Sequence, residues 1–461
     1  MLNKPNIVLI NCDDLGYGDL GCYGSRVNKT PNIDMLASEG MLFTDFYSAS
    51  PVCSPSRGAL MTGCYPKRIG FESFNGQAVL MPGHPLGLNR SELTIPGMLK
   101  EEGYTSMIVG KWHCGDQEEF LPLKYGFDSY YGLPYSNDMG RQKRRWGVQE
   151  DLDKRYPPLP LISNDEVIQE QPDQAPLIER YVEHATMFIR KNTKKPFFLY
   201  FAPLQVHLPL YAPQRFVDES DNGDFGACVA AVDWALGVLI QELKMHELYE
   251  DTLIIFTSDN GSRADHGASN DPLRGTKGFT YEGGMRVPCI MSWKSQIKSG
   301  QKCCAITSNI DFLATFASLC NRTLPSDRII DSVDMTPLLF ENTGKEHKRD
   351  SMVYYSRENL EAVRVGQWKL HFRKRNDTIN ELYNLENDIG EKNNVYSLYP
   401  DIVNKLKGYA RQYAEELGDK ANNIEGKKVR EIGRIENPKM LTSYNANYPY
   451  MVALYDKKDD G

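Results

Sequence analysis

The chain has 461 residues, 41% of them hydrophobic and 25% charged, with a net charge of −8. These proportions exclude wholesale disorder and a fibrous repeat. The acidic balance has the wrong sign for a nucleic-acid binder, which carries a basic surplus to neutralise phosphates.

In chain order, residues 6–11 (NIVLIN), 105–109 (TSMIV), 196–201 (PFFLYF) and 252–257 (TLIIFT) are short, apolar, β-rich runs. Between them lie helix-like stretches at 95–102, 177–191 and 227–243. Continuous apolar strands alternating with amphipathic helices predict an α/β fold, with a large mostly parallel or mixed sheet sandwiched by helices. Past about residue 345 the runs 352–355, 362–365 and 368–372 are short and separated by turn signals, which predicts an antiparallel sheet with a helix near 400–417 packed on it. A single core stops growing at roughly 250 to 300 residues. Two units are therefore expected, a catalytic domain over 1–345 and a C-terminal α+β subdomain over 346–461. The segment 139–173 is rich in Pro and charge, opening with Arg141-Gln-Lys143-Arg144-Arg145. It reads either as a solvated loop or as a rim that attracts an anion.

No run reaches the roughly 18 to 20 apolar residues that cross a bilayer, so no membrane insertion is expected. Met1 leads through one lysine, Lys4, straight into the first strand-like run without a signal-peptide pattern. As written, the chain is expected to be cytoplasmic, or exported if a signal has been removed. Ten cysteines contain no C-x-x-C pair, which indicates neither a zinc ribbon nor a disulfide scaffold.

Ligands in α/β folds collect beyond the carboxyl ends of the strands. Asp13 and Asp14 follow the first run, Lys111 and His113 the second, His207 the third, and Asp259 with Asn260 the fourth. Either acidic pair alone is commonly a turn or helix cap. Together they place hard oxygen ligands on one rim, which suits calcium or magnesium rather than zinc. Cys53-Ser54-Pro55-Ser56-Arg57 lies in a Ser/Pro-rich turn before a helix-like segment at 58–61. A cysteine there, with an arginine four residues on, has its thiolate stabilised.

Cys-x-Pro-x-Arg at this distance from a strand ending in Asp-Asp resembles the signature of the type I sulfatases, arylsulfatase and N-acetylgalactosamine-6-sulfatase-like members of the alkaline phosphatase superfamily. Thr30-Pro-Asn-Ile-Asp34, Gly110-Lys-Trp-His113, Ser258-Asp-Asn-Gly261 and Glu381-Leu-Tyr-Asn-Leu-Glu386 resemble further family segments in the family order. The resemblance implies that Cys53 is oxidised to Cα-formylglycine by a formylglycine-generating or anaerobic sulfatase-maturating enzyme. It implies calcium, rather than magnesium, held by Asp13, Asp14, Asp259, Asn260 and the modified Cys53. Arg57 and Lys111 would hold the hydrated aldehyde, His113 would bond its hydroxyl, and His207 and Lys277 would contact the sulfate and the leaving oxygen. The one visible departure is Cys114, where relatives often carry an apolar residue after the histidine.

These residues suit attack on sulfur by one geminal hydroxyl, with a base such as His113 releasing sulfate by C–O cleavage. A sulfated sugar is the expected substrate, with aryl sulfates as surrogates. In the loop 70–90, His84 and Asn75 are candidates to bond sugar hydroxyls, and Phe71, Phe74 and Trp146 to stack on a sugar face. Two alternatives remain, a phosphonate or phosphodiester hydrolase on the same fold, and a sulfated-glycan binder with an unmodified Cys53.

Overall fold

The apolar runs form the middle of one large sheet. The computed structural model describes residues 4–141, 156–340, 346–375 and 377–443. Its sheet contains β1 (Asn6–Cys12), β2 (Met41–Phe43), β3 (Thr105–Lys111), β4 (Ser129–Leu133), β5 (Pro160–Ser163), β6 (Glu166–Glu170), β7 (Phe197–Ala202), β8 (Thr252–Ser258), β9 (Cys289–Ser292) and β10 (Gln301–Cys303). They run in the order β10-β2-β9-β8-β1-β7-β3-β4-β5-β6. The central five, β8, β1, β7, β3 and β4, are mutually parallel. Both of their faces are covered, which is why β1 and β8 are buried at every position and read as unbroken apolar runs.

Successive residues of β1 feed opposite cores. Ile7 and Leu9 join the side covered by α2 (Cys53–Thr62), α3 (Ile95–Glu101) and α6 (Phe312–Leu319). Val8 and Ile10 join the side covered by α1 (Pro31–Glu39), α4 (Leu177–Lys191) and α5 (Gly223–Met245). Helix α5 corrects the sequence reading: an 18-residue window of it has a mean hydropathy of 1.6, long and apolar enough to cross a bilayer, and 67% of that window is buried inside the protein. It packs on α4 and α1 as a core helix.

Antiparallel pairings enter toward both edges, although the outermost pair β10–β2 is parallel. The segment expected to be loose is not loop throughout. Its residues 160–170 form the hairpin β5–β6, and Arg141 is buried, while 142–155, with Trp146, lie outside the described residues. Strand β6 lies at the edge of the sheet, so its side chains alternate between exposed and half-buried.

The second sheet has four antiparallel strands in chain order, β11 (Ser351–Ser356), β12 (Asn359–Val365), β13 (Trp368–Lys374) and β14 (Asp377–Asn384). Only three had been legible, because β14 begins with exposed polar residues. Helix α7 (Pro400–Leu417) packs on β12 and β13 through Val403, Leu406, Ala410, Ala414 and Leu417, the 3.6-residue stripe of an amphipathic helix. Pro400 opens the helix, and Gly418, at φ 86°, follows its end. Beyond α7 the chain returns to the first layer, where Gly433–Arg434 pairs with Leu86–Gly87 and Arg430 bonds Glu92.

Candidate active site

Four parallel strands end side by side, and the residues at their carboxyl ends converge. The last residue of β3 is Lys111, preceded by Gly110 at φ 109°. A Cβ at position 110 would stand 1.9 Å from the Ala202 carbonyl oxygen, so only glycine lets β3 lie this close to β7. Lys111 Nζ donates to Asp13 Oδ2 at 2.6 Å, with both side chains fully buried. Burial alone would raise the Asp13 carboxyl, but Lys111, His207, Arg57 and Lys277 outweigh it and hold it well below the usual range.

Asp14 and His113 share an unusual backbone. Their φ values are 62° and 60°, in the left-handed region that non-glycine residues enter at a cost of about 1–3 kcal/mol. The Asp14 amide donates to Asp259 Oδ1 at 3.3 Å and the His113 amide to the Pro134 carbonyl at 3.1 Å, which holds the strained turns in place.

Cys53 is not in a turn, as the sequence suggested, but is the first residue of α2. Its N-cap, Val52, offers no side-chain acceptor, so the positive end of the helix is left to whatever anion approaches. Cys53 Sγ lies 3.4 Å from Asp13 Oδ1 and 3.3 Å from Lys277 Nζ. Burial pushes the Cys53 thiol well up, against the pull of Lys111 and Lys277. It is thus a protonated thiol rather than a thiolate nucleophile.

Arg57, one turn along α2, passes beneath. Its Nε donates to Asp259 Oδ2 at 2.8 Å and its Nη1 to the Lys111 carbonyl at 2.9 Å. Lys277 bridges to Asp14 at 2.7 Å, and His207 Nε2 stands 3.7 Å from Asp14 Oδ2. Asn260 Nδ2 donates to Asp14 Oδ1 at 2.7 Å. Ligand atoms of Asp13, Asp14, Cys53 and His207 lie within 4.8 Å of one another and could hold a metal ion.

Three site residues each carry a buried polar atom without a hydrogen-bond partner: Arg57 Nη2, His113 Nδ1 and Asn260 Oδ1. Leaving such atoms unsatisfied costs about 1–3 kcal/mol apiece, more for a charged group. An orphaned amide oxygen beside three carboxylates is the donor set of an oxygen-preferring divalent ion, so the residues fit calcium. His113 Nε2 meets the Leu80 carbonyl at 3.1 Å, so the proton belongs on that nitrogen and Nδ1 keeps its lone pair. Burial, then Lys111, drives the imidazole well below its usual value, so it is neutral.

The site opens into a cleft of ≈ 410 Å³ bordered by Cys53, His113, Ser136, His207 and Lys277. His84 and Asn75 do not line it, contrary to the role expected of them. Asn75 is exposed at a turn, and His84 is half-buried beside the returning C-terminal segment, where burial and Arg434 push its imidazole down. Phe71 and Phe74 are wholly buried, packed edge to face at 4.8 Å, and belong to the core rather than to a sugar platform. Cys114 is likewise buried among apolar side chains, as the residue it replaces would be.

Sequence reasoning missed three supporting residues. Ser136 Oγ accepts from Lys111 Nζ at 3.4 Å. Ser54 Oγ accepts from the Leu80 amide at 3.1 Å, tying that loop to α2. Asn309 accepts from the Ala49 amide at 3.1 Å and donates to Ser56 Oγ at 3.0 Å, stapling both sides of the cysteine. Asn309 is far from Cys53 in sequence and sits in no motif, so no local signal marks it.

The chain is similar to known proteins over most of its length. Residues 5–321 match the sulfatase family model, and residues 275–416 match that of the N-sulphoglucosamine sulphohydrolase C-terminal region. The chain is 39% identical over 383 residues to N-acetylgalactosamine-6-sulfatase of Canis lupus familiaris, covering 80% of this chain and 72% of that protein. It is 37% identical over 445 residues to arylsulfatase A of Homo sapiens, covering 87% and 86%. Among solved structures, Ps i-CgsB in complex with k-i-k-neocarrahexaose superposes with a TM-score of 0.78 at 32% identity, covering 89% of this chain and 93% of that one.

Proposed function

The chain belongs to the sulfatase family and is a sulfuric ester hydrolase, and on that premise we propose that it cleaves sulfate monoesters of carbohydrates with a formylglycine made from Cys53 beside calcium. The observation that carries the proposal is the seat of Cys53. It heads a helix, 3.3 Å from a lysine and 3.4 Å from a carboxylate, among four further charged side chains.

Calcium, when held by Asp13, Asp14, Asp259 and Asn260, supplies positive charge to the sulfuryl oxygens. The aldehyde hydrate at position 53, once the thiol is oxidised by a maturation enzyme, supplies a hydroxyl that an inert buried thiol does not. The remaining steps belong to ordinary side chains. Lys277, already 3.3 Å from Sγ, is placed to bind an oxygen transferred there, and Arg57 Nη2 has a free donor for the same region. Neutral His113, with its Nδ1 lone pair unengaged, accepts the proton whose loss releases sulfate. His207 is held by its Nδ1–H against the Leu208 carbonyl at 2.5 Å and turns Nε2 toward Asp14 Oδ2 at 3.7 Å, so that as the imidazolium, with a proton on each nitrogen, it gives the Nε2 proton to the departing alcohol and is left neutral.

A relative named for N-acetylgalactosamine-6-sulfate chemistry and a structural neighbour bound to a neocarrahexaose support a sulfated carbohydrate as the substrate. The test uses protein coexpressed with a maturation enzyme. Mass spectrometry across Cys53 should find the aldehyde. Turnover of nitrophenyl sulfate should be lost on chelation and restored by calcium. A thiol in fully active protein, or faster cleavage of a nitrophenyl phosphodiester, would overturn the proposal.

A further inference from the structure

A second cleft adjoins the first and is lined by different chemistry. It has a volume of ≈ 380 Å³ and shares Val52 and Ala78 with the catalytic cleft. Gly278, on its wall, directly follows Lys277 and donates its amide to the Pro51 carbonyl at 2.9 Å. The opposite wall comes from the C-terminal sheet. In an antiparallel sheet in chain order, the β11–β12 and β13–β14 turns fall at one end and the β12–β13 turn at the other. Arg357 stands at the first of these turns and Arg375 at the end of β13, with left-handed φ values of 54° and 53°. Sheet topology thus delivers two cations from separate hairpins to one cleft.

Among the described residues, these arginines are its only charged lining residues. Arg357 is exposed, and its guanidinium makes no hydrogen bond or ion pair among the described residues. Arg375 lies with its guanidinium carbon 4.4 Å from the centroid of Phe279, a stacking arrangement that leaves the N–H edges free for a planar or tetrahedral anion. The nearby carboxylates are engaged elsewhere: Glu358 pairs with Lys420 at 2.6 Å, and Glu361 accepts from Thr280 and from the Arg375 amide.

Resting on the sulfate-ester reading above, we infer that this cleft is an anion subsite: Arg357 and Arg375 hold a second sulfate or carboxylate, carried by the sugar next to the one being desulfated. The enzyme is therefore selective for polyanionic oligosaccharides over singly charged esters. An apolar and uncharged leaving group gains nothing from this wall.

The experiment compares the mature enzyme with the double variant Arg357→Gln, Arg375→Gln on three substrates: nitrophenyl sulfate, a disulfated disaccharide, and a monosulfated disaccharide bearing a uronate. Two partly exposed charge-assisted contacts predict a rise in KM of about tenfold or more on at least one disaccharide, with kcat little changed and nitrophenyl sulfate kinetics unaltered. Which disaccharide responds identifies sulfate or carboxylate as the bound group. Equal effects on all three substrates, or none, would overturn the inference. Calorimetric binding of the same disaccharides to Cys53→Ser protein, with and without the two substitutions, needs no turnover. Unchanged affinity there rejects the subsite, whereas absence of turnover in the mature enzyme rejects the underlying function.

Discussion

Two of the buried clusters of charge among the described residues are built on opposite terms. Between the two sheets, Glu282 accepts from Lys369 at 2.7 Å, Tyr47 at 2.6 Å and Arg286 at 3.2 Å. Glu391 accepts from His371 at 2.6 Å and from the Glu282 amide at 2.7 Å. Burial would raise Glu282, yet Lys369 and Arg286 hold it below its usual value. None of Glu282, Lys369, His371 and Glu391 has an unpartnered buried atom, whereas Arg57, His113 and Asn260 in the candidate active site each do. An ionic cluster whose charged groups are all partnered locks two layers together. One with unfilled valences beside a cleft is reserved for what binds there.

The contrast can be broken from either side. Its largest expected consequence is in activity: Cys53→Ser should lower kcat on the order of 10⁴-fold or more while leaving the melting temperature within a few degrees. Steady turnover near that of the wild type would remove Cys53 from the chemistry. Lys369→Met should do the reverse. It leaves Glu282 and Glu391 buried without their shared cation, a loss of about 3–5 kcal/mol in denaturant unfolding, with kcat of the folded protein kept. A drop in kcat with unchanged stability would show that the two clusters are not separable.

The last effect concerns pH. Burial, reinforced by Lys369, brings Lys374 down to about 7, far under the value of about 10.4 in an unfolded chain. Between those values the unfolded chain holds the extra proton, so this group's contribution to stability is lost as pH falls through 7 and recovered as pH rises toward 10. Lys374→Met removes that dependence. The stability of the wild type relative to the variant should climb across this window in urea titrations, and a flat difference would mean that Lys374 stays charged in the fold. His371 fits the neutral assignment, since Nε2 serves Glu391 and Nδ1 accepts from Lys374 at 2.6 Å.

Much of this was legible in the string of residues. A strand buried on both faces must be apolar throughout, so β1, β3, β7 and β8 announced themselves, and the acidic and basic residues just past them marked one rim. Helices α4 and α7 fell where their periodicity put them, because an amphipathic stripe is a local property. Strand β14 did not show, since its first residues face solvent.

Other features needed the folded chain. Phe71 and Phe74 look alike as loop aromatics or core residues, and only packing against α2 and each other decides between them. Nothing local joins Asn309 to Cys53, or Arg357 and Arg375 to Lys277. Motif and periodicity record how each residue relates to water and to its near neighbours along the chain. Which distant residues share a cavity is decided by strand order and by which hairpin turns fall at the same end of a sheet. The motif around Cys53 was therefore visible in the sequence, while the residues gathered about it were settled by the tertiary structure.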